Sequence, residues 1–141
     1  MGTLNRTDIE GMIAAGGVLL LNGAELTGAD LDGLALAGAD LSYARLEGAS
    51  LRGADLGGAK LWAVRAHGAD FSGAVLRDAQ FGTADLSAAN LQRADLRRAR
   101  LGGCNLRQAD LRGADLRETT PDPSLCTGAL DDAGTRWPGP P

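Results

Sequence analysis

The chain has 141 residues, 14 Lys and Arg against 18 Asp and Glu, and a formal net charge of −4. That length makes one domain, the acidic balance argues against direct nucleic-acid binding, and no stretch approaches the length of a membrane span. A single His and two distant Cys lack the spacing of metal ligands, so neither a metal nor another cofactor is expected.

Residues 1–18 read as an N-terminal cap. Thr7-Asp8-Ile9-Glu10 has the pattern of a capping box that opens a short helix, with Ile9, Met12 and Ile13 on one side and Gly16-Gly17 as its stop. Asp8 and Glu10 ahead of the short apolar run Val18 to Leu21 do not make a signal peptide. Gly2 is followed by Arg6 where a myristoylation motif needs Ser or Thr. The two cysteines, Cys104 and Cys126, stand at unlike positions, which together with the missing leader points to a reducing, cytoplasmic compartment.

From residue 19 to 118 the chain repeats every five residues. Each fifth residue from Leu21 to Leu116 is apolar, Leu in 17 of 20 places, and Ala stands two residues earlier in 16 of 20. Ala29-Asp30-Leu31-Asp32-Gly33, Ala54-Asp55-Leu56-Gly57-Gly58 and Ala114-Asp115-Leu116-Arg117-Glu118 show the unit. A step of five scatters side chains around an α-helix and alternates them across a strand, so the unit must contain a corner. Ala and Leu share the inner face, the residue between them points to water, and the two residues after Leu turn the chain. Self-similarity at so short a period marks a solenoid.

These units resemble the pentapeptide-repeat family, whose repeats read Ala-(Asp/Asn)-Leu-x-x. The resemblance implies an all-β fold, a right-handed quadrilateral β-helix with four units per coil and the short N-terminal helix as its lid. Twenty units then make about five coils, a rod roughly 24 Å long at the usual strand spacing. It also implies bacterial relatives that act as DNA mimics on topoisomerases such as gyrase and protect against quinolones or toxins. The charges do not favour that role here. B-DNA of equal length carries roughly 14 phosphate charges, whereas residues 19–118 hold 13 acids and 12 bases.

Residues 119–141 read as a C-terminal cap or a flexible Pro- and Gly-rich tail, in which Leu125, Leu130 and Trp137 could cover the last coil. If they do not, that end is an apolar patch through which a homodimer forms.

No phosphate loop, nucleophile elbow or metal signature occurs, and a filled rod lacks a pocket, so the reading is non-enzymatic. His67 reads as a solvated corner residue. The recurring Asp is read as an outward residue that supplies solubility and turn hydrogen bonds, and replacing Asp95 by Ala is expected to be nearly silent. Any function must therefore lie on the exterior. With four units per coil, residues twenty apart stack in columns. One column, Glu25, Arg45, Arg65, Asp85, Asn105, reads as the ion pairs Glu25–Arg45 and Arg65–Asp85. A second, Arg77, Arg97 and Arg117, is either balanced by Asp55, Asp95 and Asp115 or left as an anion-binding stripe. Residues 19–92 hold nine acids and five bases, residues 93–118 four acids and seven bases, so the rod is graded in charge along its axis. Tyr43 and Trp62 fall at one corner of adjacent coils with Arg45 and Arg65 beside them, in a chain with five aromatic residues. Tyr, Trp and Arg are the types enriched at binding hot spots. The sequence thus reads as a rigid scaffold for an unidentified protein partner, with topoisomerase mimicry or pure self-assembly as the alternatives.

Overall fold

Parallel bridges join residues twenty apart all the way from Leu20–Asp40 to Asp95–Asp115. That register, seen in a computed structural model describing residues 3–140, closes one turn of the solenoid every four pentapeptide units. Met1, Gly2 and Pro141, and with them the myristoylation reading at Gly2, lie outside the described residues. Each side of the coil contributes one bridged residue rather than an extended strand, because a corner follows after every third residue.

The backbone of a unit explains its composition. In the unit around Leu41, Asp40 N donates to Leu19 O (2.8 Å), Leu41 N to Lys60 O (2.8 Å) and Tyr43 N to Trp62 O (2.8 Å), all between coils. Ala44 N closes the corner on Leu41 O (2.9 Å). The remaining amide, Ser42 N, donates to the carboxylate of Asp40 (3.0 Å). The same two-residue reach recurs from Asp55, Asp70, Asp85, Asn90, Asp95, Asn105, Asp110 and Asp115. Asp or Asn between Ala and Leu therefore satisfies the one amide that neither the corner nor the next coil can reach.

The inner column from Leu21 to Leu116, including Ala66, Phe71 and Phe81, is fully buried. The small residues two places earlier line the same core, where a larger side chain would crowd its neighbours.

Helix α1 (Arg6–Ala15) packs Ile9 into that core, with Leu4, Met12 and Ile13 partly buried against it. Its capping box is centred on Asn5 and not on Thr7: Asp8 N donates to Asn5 Oδ1 (2.9 Å) and Asn5 N to Asp8 Oδ2 (2.9 Å). Asn caps as well as Ser or Thr, and the earlier start brings Arg6 onto the helix, where it meets Glu10 (2.9 Å) and the Asp32 carbonyl (2.8 Å). Gly16 ends the helix at φ 78°.

At the other end the tail adds a partial sixth layer. Leu106 N donates to Leu125 O (2.8 Å), Leu111 N to Leu130 O (2.7 Å) and Leu116 N to Arg136 O (2.7 Å). A 3₁₀ turn, Pro123–Leu125, starts the layer, and one residue is added before Arg136, whose bridge to Asp115 spans 21 residues. The register puts Leu125 and Leu130 on the outside, where Leu130 stays exposed. Beneath the last full coil lie Cys126 and Ala129. Trp137 follows the bridged Arg136 but stays 38% exposed, and its Nε1 donates to Asp131 Oδ2 (2.9 Å).

Candidate functional site

The exterior is a set of charge ladders, and most of its arginines are held. On the Glu25 column, Arg45 lies 3.5 Å from Glu25, as the sequence suggests. Arg65 does not pair with Asp85. It turns to Glu47 at the preceding corner (3.1 Å), while the Asp85 carboxylate accepts from Ser87 N (3.0 Å) and its hydroxyl (2.6 Å).

The Arg77, Arg97 and Arg117 column is interleaved with carboxylates. Asp95 takes both Arg77 and Arg97 (2.9 Å to the latter), and Asp115 takes Arg117 (2.7 Å) and lies 3.8 Å from Arg97. The Arg97 hydrogen bond, helped by Arg77, holds the Asp95 carboxyl well below the usual carboxylate range. Asp55, the third acid proposed for this column, caps Gly57 N (3.0 Å). Asp95 is thus a junction of two arginines and a corner amide, so its replacement by Ala is expected to cost stability instead of being silent.

The axial charge gradient is blunted. The tail lays Asp122, Asp131 and Asp132 on the arginine-rich coils, with Asp132 accepting from Gly113 N (3.0 Å).

Tyr43 and Trp62 do share a corner, 69% and 44% exposed. Tyr43 takes the second corner place at φ 62°, which glycine usually fills. The structure separates Trp62 from the arginines named with it. Its indole swings away from Arg65 towards the Asp40–Lys60–Gln80 side, where Nε1 donates to Gln80 Oε1 (3.3 Å). The ring lies flat on Gly82, so close that a Cβ there would sit 2.0 Å from Trp62 Cε3.

Gly82 marks a change in the corner itself. Along this edge the left-handed residue is the second of the corner at Gly23, Tyr43 and Ala63, but the first at Gly82. The corner hydrogen bonds run Gly23 N to Ser42 O and Tyr43 N to Trp62 O and stop there. Gly82 O turns instead towards Gly103, whose added Cβ would stand 3.1 Å from it. The signal was in the sequence: glycine first in the corner at Gly82-Thr83, then the doublet Gly102-Gly103. Lys60, Gln80 and Arg100, the column beside this edge, were not singled out.

His67 is exposed at a corner and shares a 2.9 Å hydrogen bond with Ser87 Oγ. Burial pushes the Cys104 thiol far up, and Cys126 is raised for the same reason, so neither is a ready nucleophile. Among the described residues no pocket opens, no group of side chains could hold a metal ion, and no helix is long and apolar enough to cross a membrane.

The family model for pentapeptide repeats matches residues 20–58, 54–93 and 84–120, in eight copies. The chain belongs to the pentapeptide-repeat family. Pentapeptide-repeat proteins fold into right-handed quadrilateral β-helices, and the four-unit coil is of that kind. They are generally non-catalytic structural or binding proteins. A pentapeptide repeat protein from the thylakoid lumen of Arabidopsis thaliana is similar over 73% of this chain and 72% of its own, at 32% identity and a TM-score of 0.70. A pentapeptide repeat protein from the cyanobacterium Cyanothece is similar over 85% and 90%, at 26% identity and a TM-score of 0.62. HetL from the cyanobacterium Nostoc, involved in heterocyst differentiation regulation, is similar over 89% and 79%, at 28% identity and a TM-score of 0.52. No curated protein matches the sequence.

Proposed function

We propose that this pentapeptide-repeat protein is a non-catalytic, cytoplasmic scaffold that docks a partner protein at the corner carrying Tyr43 and Trp62. One observation carries the reading. Two of the chain's five aromatic residues stand exposed at the same corner of successive coils, and Tyr43 N donates to Trp62 O to join the two corners. A rigid aromatic pair costs little conformational entropy on binding. The supporting arginines are revised to a lesser place, since Arg45 and Arg65 are engaged by Glu25 and Glu47. The Arg77, Arg97 and Arg117 stripe is likewise occupied by Asp95 and Asp115, which disfavours it as an anion site.

The balanced surface of 13 acids and 12 bases over residues 19–118 argues against topoisomerase-directed DNA mimicry. The tail stacked on the last coil disfavours a homodimer built through that end.

The test places a photo-crosslinking amino acid at Tyr43 in cells, identifies what it captures, and measures the affinity of the purified pair. Trp62→Ala should weaken that pair at least tenfold with an unchanged melting temperature. Equal affinity for Trp62→Ala and Tyr43→Ala would remove the corner from the function.

A further inference from the structure

The surface that Trp62 turns towards holds two cations of one column without a carboxylate partner. Along most of the rod the arginines are neutralised on the spot: Arg45, Arg52, Arg65, Arg77, Arg97, Arg98, Arg112 and Arg117 each meet a carboxylate within 4 Å, whereas Arg93, Arg107 and Arg136 form no such pair among the described residues. In the column Leu20, Asp40, Lys60, Gln80, Arg100, neither Lys60 nor Arg100 forms such a pair among the described residues, and both are exposed. Asp40, the acid nearest to Lys60 in the column, is occupied with Ser42 N at 3.0 Å.

The edge beside this column carries no side chain of its own at Gly82, Gly102 and Gly103; the indole of Trp62 covers Gly82, and Gly102 and Gly103 stay exposed. Here the ladder of corner hydrogen bonds is broken, so the amides of Ala63 and Thr83 donate to no backbone carbonyl. Gln80 offers its carboxamide N–H₂ outward once its oxygen has accepted from Trp62. The shelf thus combines two unpaired cations, surplus N–H donors and an aromatic wall, with no carboxylate below Asp40 in the column.

We infer that this shelf, formed by Lys60, Trp62, Gln80, Gly82, Arg100 and Gly103, binds an extended acidic peptide segment of a partner protein. The inference rests on the docking reading above and names the partner's chemistry. Lys60 and Arg100 are two coils apart, about 10 Å at the strand spacing, which an extended chain covers in about three residues. Side chains of an extended segment alternate between its faces, so two carboxylates two or four residues apart share a face and, with the reach of the Lys and Arg side chains, meet both cations while the peptide backbone runs beside the glycine edge. Recognition by surplus donors and cations selects acid, because a basic or neutral segment would leave both cations without a partner. A nucleic acid is the weaker match, since two cations in a chain of net charge −4 do not make the long positive track that a phosphate backbone requires.

The experiment uses the full chain and a set of fluorescein-labelled ten-residue peptides. Each carries two Glu separated by one to four residues beside one Leu, and is matched by a copy with Lys for Glu; a labelled single-stranded oligonucleotide completes the set. Anisotropy should show binding by the acidic peptides alone, best where one or three residues separate the two Glu and place them on one face, together with a shift in Trp62 emission read in a Trp137→Phe background. Lys60→Glu with Arg100→Glu should weaken binding at least tenfold. Arg107→Glu, which adds the same kind of negative charge at a different corner, should leave it within twofold. Thermal melts that match wild type show that the surface variants remain folded.

The inference is overturned if no acidic peptide binds, if Arg107→Glu weakens binding as much as the shelf variants do, or if the oligonucleotide binds more tightly than every peptide. These failures are separable from failure of the docking reading. If crosslinking at Tyr43 still yields a Trp62-dependent partner, the corner stands and only the acidic class is wrong.

Discussion

At the scale of single residues, the outward Asp and the glycine two places after Leu each satisfy a backbone demand. The edge that contains Gly48, Gly68 and Ala88 lets the second demand be measured. Gly48 and Ala88 hold the same corner place at φ 66° and 56°. Gly48 has open space around an added Cβ, so only its backbone conformation opposes a side chain. Ala88→Gly should stabilise the protein by about 0.5–1 kcal/mol and Gly48→Ala should destabilise it by a similar amount, read from thermal melts. The first demand has a pH signature. Asp95 is held by Arg97 and Arg77, which depress its titration in the folded state. In the unfolded chain it titrates near its ordinary value, about 3.9. The stabilisation is therefore complete above that value and is lost as the pH falls towards the depressed folded one. Asp95→Asn should cost about 1 kcal/mol at pH 7 and should reduce the loss of stability between pH 5 and 2. Urea melts across that range check it, and an unchanged pH dependence would remove Asp95 as a contributor.

At the scale of elements, the two ends of the rod are closed by different means. Helix α1 supplies Ile9 to the first coil, while the tail continues the coil itself for most of a turn. In that last layer Cys126 and Ala129 pack against the core, and the exposed Trp137 indole is fastened to Asp131. Removing residues 121–141 would uncover Leu106, Leu111 and Leu116, which are fully buried in the intact chain. A chain ending at Thr120 should then melt at lower temperature and form larger species in light scattering. An unchanged melt and mass would show that the tail contributes nothing to closing the end. Leu125 and Leu130, which the sequence offers as a cover for the last coil, stand out of register with its inner column. Both are Leu, but they stand one residue before the inner column, and in a five-residue unit that displacement turns a side chain from core to solvent.

For the whole molecule, each coil touches only the coils beside it, so a defect in the middle divides the stack. Leu96 is fully buried in the fourth coil. Leu96→Asp would leave an unpaired charge in the core, a cost of several kcal/mol, and circular dichroism should show loss of the folded spectrum. A variant that melts like wild type would overturn the register.

The period alone determined the inner and outer residues and the corners, while four units to a coil is what the resemblance to the family implied. A five-residue step with Leu and Ala on fixed places admits no regular helix or strand, and identical units must stack identically. Even the role of the recurring Asp was legible as corner hydrogen bonding, because its partner amide is two residues away. The tertiary structure decided whatever depends on a choice among several neighbours. Arg65 could meet Asp85 or Glu47, and only the packed corners show that it takes Glu47. Trp62 could join the arginines or turn back, and a glycine twenty residues away opened the place where it lies. The core of a repeat is set by its own unit, whereas its surface is set by side chains that meet only after coiling has brought distant units together.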